Sequence, residues 1–113
     1  MDKRTEFIAS ATIENYEDIV YKAIHYYNGF LDFGHKIKVE EDMALDTTTG
    51  VDEMHFSAIL ILIQNYLLGK FNIELDIDQY SEDAHKQNTI NKMAKFIMNK
   101  VDLYIEKDES DGL

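Results

Sequence analysis

The stretch GVDEMHFSAILILIQNYLLGKFNIEL, Gly50 to Leu75, decides how the rest of this chain is read. A glycine and an acidic pair lead into a run that is apolar at most positions until the chain turns acidic again. Asp52 suits a helix N-cap, because its carboxylate can accept from the free amide groups of a first turn. Strong helix formers dominate from Glu53 to Leu68, and Gly69 suits the left-handed residue that commonly ends a helix. A helix over about 53–68 is predicted. Ser57 is the one hydroxyl between Phe56 and Ile63, and it is either a bystander on this helix or a point of attachment.

Working outward, Ile13, Tyr16, Val20, Ala23, Tyr27 and Phe30 recur at the three-and-four spacing of one helix face. Glu14, Glu17 and Asp18 stand early, where the helix dipole favours negative charge. This predicts a first helix over 12–31. A polar, turn-rich connection follows, with Gly34, Gly50 and the run LDTTTG, and at most one short helical or extended piece at KIKVEED. Beyond Gly69, Ile73, Leu75 and Ile77 alternate as in a strand, but a strand without a partner is unstable, so an extended loop and a short helix near 78–84 are expected. Ile90, Met93, Ala94, Ile97, Val101, Tyr104 and Ile105 mark one face of a last helix over 89–106, with Lys92, Lys95 and Lys100 toward water. The fold class is therefore all-α: a small four-helix bundle, three helices long and one short. Residues 1–11 read as an N-terminal extension, 12–106 as the helical domain and 107–113 as an acidic disordered tail.

At 113 residues, 45% of them hydrophobic, the chain suits one packed core rather than two domains or general disorder. The longest apolar run, Phe56 to Ile63, is far short of the roughly 20 residues a membrane span needs. The N-terminal MDKRTEFIASAT has no apolar core of signal-peptide length, and the chain has no cysteine. Together these fit a soluble, cytoplasmic protein. The net charge of −11 repels phosphate backbones, so nucleic acid is not an expected partner, whereas basic protein surfaces are. Acidity that only keeps a small protein in solution is an equally common reading.

The histidines His25, His35, His55 and His85 show no i,i+4 pair and no HExxH context, which reads as surface or capping roles rather than metal ligation. DIDQYSED has the alternating acids of a calcium loop but carries Ser81 where such a loop requires glycine. No phosphate-cradling glycine loop, nucleophile elbow or catalytic carboxylate pair is present, so no enzymatic turnover is expected.

The layout, with GVDEM at the start of the second helix, KFNIELDID at its end and NTINKMAKFI opening the last helix, resembles the acyl carrier protein family over roughly residues 12–105. DIDQYSEDA is similar to the more divergent carriers, including the D-alanyl type. The resemblance implies a carrier-like bundle in which a serine at the start of the second helix bears 4′-phosphopantetheine. It also implies two sorts of partner: a phosphopantetheinyl transferase, and acyl- or aminoacyl-loading or condensing enzymes with basic surfaces. Aligned from its N-terminal side, the motif has Glu53 where the family has serine. Aligned back from Phe71, Ser57 lies at about the family's separation, fourteen residues earlier. The two alignments differ by four residues, close to one turn of about 3.6 residues. Either the helix gained a turn and lost its serine, or the loop lengthened and Ser57 inherited the attachment.

A serine that carries a phosphodiester benefits from a helix N-terminus, where amide groups and the dipole favour an anion. Ser57 is close to such an end and shares a side with Ile61, Gln64 and Leu68, opposite Phe56, Leu60, Ile63 and Leu67. Beyond Glu53 this helix has no acid, so Glu53, Ile61, Gln64 and Leu68 are the candidate partner-binding residues. Burial of that apolar stripe against the long loop is the competing expectation. The alternative function is a non-catalytic acidic binding module, either a carrier-like fold without the arm or an inhibitor or immunity type of protein.

Overall fold

The computed structural model describes residues 7, 11–31, 36–76 and 82–111. Its long elements are three helices, α1 (Ile13–Asn28), α2 (Glu53–Phe71) and α3 (Ile90–Asp111). Residues 82–84 are also helical. They match the end of the expected short helix, and its start, like most of the DIDQYSED run, lies outside the described residues. No strand is present among the described residues.

Helix α1 begins on a reciprocal cap: Asn15 N–H donates to the Thr12 hydroxyl, and the Thr12 amide donates to Asn15 Oδ1 at 2.8 Å. Its buried stripe is Tyr16, Ile19, Val20, Ala23 and Ile24. The sequence stripe ran on to Phe30, but Phe30 lies beyond the helix end and is 71% exposed. Helix α1 packs against both other long helices and runs antiparallel to α2. Phe7 bridges Tyr16 near the start of α1 (ring centroids 5.3 Å) and Phe71 at the end of α2 (4.2 Å), while Tyr27 meets His55 at the opposite ends. Phe7 belongs to the segment read as an extension, yet it is buried.

Burial in this cluster pushes the Tyr16 phenol up to about 12, with Asp102 adding to the shift. The folded state therefore holds that proton more tightly than the unfolded chain, whose tyrosines ionise near pH 10. The stability this represents is complete below about pH 10 and is lost at about 1.4 kcal/mol per unit as pH rises toward 12. Urea melts should show that fall, and Tyr16→Phe should flatten it.

The long connection is bound to the helices rather than draped over them. Asn28 at the end of α1 clamps Ile37 from both sides: its Nδ2 donates to the Ile37 carbonyl at 3.0 Å, and its Oδ1 accepts from Ile37 N–H at 2.8 Å. Tyr21 Oη accepts from the Asp42 amide at 2.6 Å and donates to the Glu40 carbonyl. Asp42, in the left-handed region at φ 45°, accepts from Asn91 N–H at 2.9 Å and so caps α3 across the chain. Ala44 pairs with Thr89 in an isolated antiparallel bridge. Asp46 opens a 3-10 turn at Thr47–Thr49 by accepting from the Thr48 amide and hydroxyl. Ile37, Met43, Leu45 and Val51 deliver their side chains to the core. At KIKVEED, residues 36–40 have no regular secondary structure and a turn follows at 41–42.

Helix α2 ends later than the sequence suggests. Asn72, not Gly69, is its left-handed cap (φ 54°), with its amide donating to Leu67 and Leu68 carbonyls, and Ile73 N–H reaches the Leu67 carbonyl. This is a left-handed helix ending in which asparagine substitutes for glycine. Gly69 lies inside the helix, exposed, with nothing within 4 Å of an added Cβ. Gly69→Ala should raise stability by about 0.5–1 kcal/mol, read as a higher urea midpoint. After Asn72 the chain is extended, with Ile73 and Leu75 buried and Glu74 and Asp76 exposed. The strand-like alternation thus records a segment laid across the core.

Helix α3 is capped by Thr89, whose hydroxyl accepts from Lys92 N–H. Ile90, Met93, Ala94, Ile97 and Val101 are buried as their spacing requires. The helix runs to Asp111, through residues expected in the tail, because Glu and Lys sustain a helix and no proline or glycine precedes Gly112 there. The last two residues of that tail lie outside the described residues.

Candidate functional site

The start of α2 is set by Gly50 and Asp52. Gly50 takes φ +87°, a turn that side-chain-bearing residues rarely adopt. Asp52 then accepts from His55 N–H at 2.8 Å, and Phe56 N–H is held by the Asp52 carbonyl. His55 Nδ1 lies 3.1 Å from the Gly50 carbonyl and 3.2 Å from Asp52 Oδ1, so this histidine has the capping place expected of it. His25 is exposed in the last turn of α1, and His35 lies outside the described residues.

Glu53 is the first helical residue, exposed, with its carboxylate at the positive end of the helix dipole. It occupies the place the carrier resemblance gives to serine. Ser57 lies one turn further in. Since only the first amides of a helix lack an internal partner and Phe56 N–H already donates to the Asp52 carbonyl, the Ser57 amide lies inside the ladder. The helix starts at Glu53, as expected, so Ser57 stands four residues into it and not on the preceding loop.

The outer face of α2 is a line of three apolar side chains. Met54, Ile61 and Leu68 stand seven residues apart, close to two turns, and are 70%, 52% and 43% exposed. Of the stripe Ser57, Ile61, Gln64 and Leu68, whose burial under the long loop is the competing expectation, the two apolar members are exposed and the two polar ones half-buried. Phe56, Leu60, Ile63 and Leu67 are buried on the opposite side, as expected. Helical geometry places Glu53, Ser57 and Gln64 on one flank of the line and Asn65 and Leu62 on the other. On the latter flank Leu62, Asn65 and Tyr66 face Lys22, Ala23 and Tyr26 of α1 across an open, mostly apolar groove of about 420 Å³.

Ser57 is half-buried on its flank, and Gln64 is half-buried and engaged in an interaction of its own. Facing Ser57 is a residue the sequence reading had treated only as a surface or capping histidine. His85 Nε2 lies 3.4 Å from Ser57 Oγ, and the imidazole packs at a tilt of 30° against Phe56 with ring centroids 4.6 Å apart. The contact joins residues 28 apart in sequence, so no local pattern signals it.

Among the described residues no group of three or more histidines, aspartates or glutamates is placed to hold a metal ion, and no helix is long and apolar enough to cross a membrane. The fit of the site to a covalent phosphodiester is mixed. Ser57 is half-buried with its hydroxyl beside an imidazole nitrogen, but it lacks the free amides of a helix end. No family model, no curated protein and no solved structure matches this chain.

Proposed function

We propose that this chain is a carrier-type module that docks partner proteins through the outer face of α2 and bears a phosphopantetheine arm on Ser57. The observation that carries the reading is the position of Ser57, half-buried on the flank of the Met54, Ile61 and Leu68 line. An arm joined there leaves from the middle of the most apolar exposed surface on α2. An apolar patch rimmed by polar residues is the usual mark of a protein interface. Glu53 and the overall charge of −11 favour partners that bring Arg or Lys to its edge. The chain supplies no catalytic group in this reading; the arm supplies a thiol for thioester-bound substrate, and the module presents it at high local concentration.

Attachment forms the Ser57 Oγ–P bond and breaks the pyrophosphate bond of coenzyme A, releasing adenosine 3′,5′-bisphosphate and the hydroxyl proton. Intact mass of the protein isolated from its native host should show one arm, and Ser57→Ala should remove it. A uniformly unmodified mass would end the arm reading. One observation favours the second reading, a docking module without an arm: Glu53 holds the first position of α2 and Ser57 lies within the hydrogen-bonded ladder. The same mass measurement separates the two.

A further inference from the structure

Ser57 and His85 come from different elements and meet side by side, and the sequence gives neither a reason to find the other. A hydroxyl and an imidazole 3.4 Å apart are at the long end for a direct hydrogen bond. A non-bridging oxygen of a phosphate on Ser57 stands two bonds out from Oγ, on the side from which Nε2 faces the serine. The ring packs against Phe56, the residue next to Ser57, with Nε2 toward the serine.

We infer that His85 is the counter-ion of a phosphate group on Ser57: protonated, its Nε2 donates to a non-bridging oxygen of the modified serine. The inference rests on the attachment proposed for Ser57. It answers the difficulty that α2 creates, since a phosphodiester at a helix start is held by free amides. At Ser57 that provision is missing. Of the first-turn amides, His55 N–H is already given to Asp52 Oδ1 and Phe56 N–H to the Asp52 carbonyl. The surroundings are also acidic. Glu53 shares the flank, and Glu82 and Asp83 precede His85 on its own segment, where Lys86 is drawn to Asp83 at 3.5 Å. Another negative group here is repelled unless a cation faces it, and an imidazolium donates a charge-assisted bond to phosphate.

The test installs phosphoserine at position 57 of the full chain by genetic encoding, in the His85 background and in His85→Phe, which keeps an aromatic ring against Phe56 and removes both nitrogens. Each protein is melted with and without the phosphate at low ionic strength. The phosphate should lower the melting temperature more in His85→Phe than in the parent, by on the order of 5 °C, and an equal drop in both would overturn the inference. Should His85→Phe fail to fold, the parent alone decides by nuclear magnetic resonance. On phosphorylation the ¹⁵N shift of His85 Nε2 should move well beyond those of His25 and His55, and equal movement of all three would overturn the pairing. The carrier reading can fail separately: an unmodified mass from the host ends the arm, whereas the coupling of His85 to an anion at position 57 is read on an installed phosphate.

Discussion

Ile63→Ala should lose about 2–5 kcal/mol of stability, the cost of emptying a fully buried isoleucine site in a packed core. Ile63 has no exposed surface, lying among Phe56, Ile59, Leu60 and Leu67 on the inner side of α2. The deletion removes both the transfer free energy of the lost methylenes and the contacts around the cavity they leave. Small domains are stable by only about 5–15 kcal/mol in total, so a large part of the folded population at elevated temperature should disappear. Denaturant unfolding followed by circular dichroism measures the change. Ile61→Ala, two residues away and chemically identical, should stay within about 0.5 kcal/mol, because Ile61 is already half in water. Equal losses at the two positions would mean that α2 is not oriented as described.

The second large effect is on association. On the carrier function proposed above, Ile61→Asp should leave the fold intact and raise the apparent KM of a phosphopantetheinyl transferase for this protein by tenfold or more, about 1.4 kcal/mol. Ile61 sits at the centre of the line from Met54 to Leu68, and a carboxylate there must be desolvated against whatever apolar surface covers it. Central apolar anchors carry most of the energy of an interface, and its rim carries little. The rim acts on encounter instead: with a net charge of −11, association with basic partners should slow as salt rises, since exposed charges are screened beyond about 8 Å at physiological ionic strength. If Ile61→Asp leaves KM unchanged while salt alone weakens binding, the acidic surface and not the stripe carries recognition.

These two isoleucines show where sequence reading stops. In α1 and α3 the apolar positions recur against a polar background, and the residues they mark, Tyr16, Val20 and Ala23 in one and Ile90, Met93, Ala94, Ile97 and Val101 in the other, are buried. Periodicity reports orientation when one face is charged. Along α2 it reports little, because apolar side chains occur on nearly every side between Met54 and Leu68. The existence of that helix was legible from Asp52 and the run of helix formers. The sequence set Ile61 on the side opposite Ile63 but left open whether that side is buried, and its exposure was decided only when the rest of the fold packed against the other side.

Local chemistry in the sequence determined the starts of the helices and the all-α class. A Thr12 or Asp52 side chain reaches an amide three residues on without help from the rest of the fold. The end of α2 was decided by tertiary structure, since Ile73 and Leu75 must reach the core and they carry the turn to Asn72, past a glycine that could have ended the helix earlier. The same holds for Asp42 capping α3 from 49 residues away, and for His85 meeting Ser57. Those contacts depend on the path of the whole chain, which no spacing of three or four residues encodes. The candidate site is thus divided: Ser57, Glu53 and the stripe could be named from the sequence, but the residue that faces Ser57 could be named only from the fold.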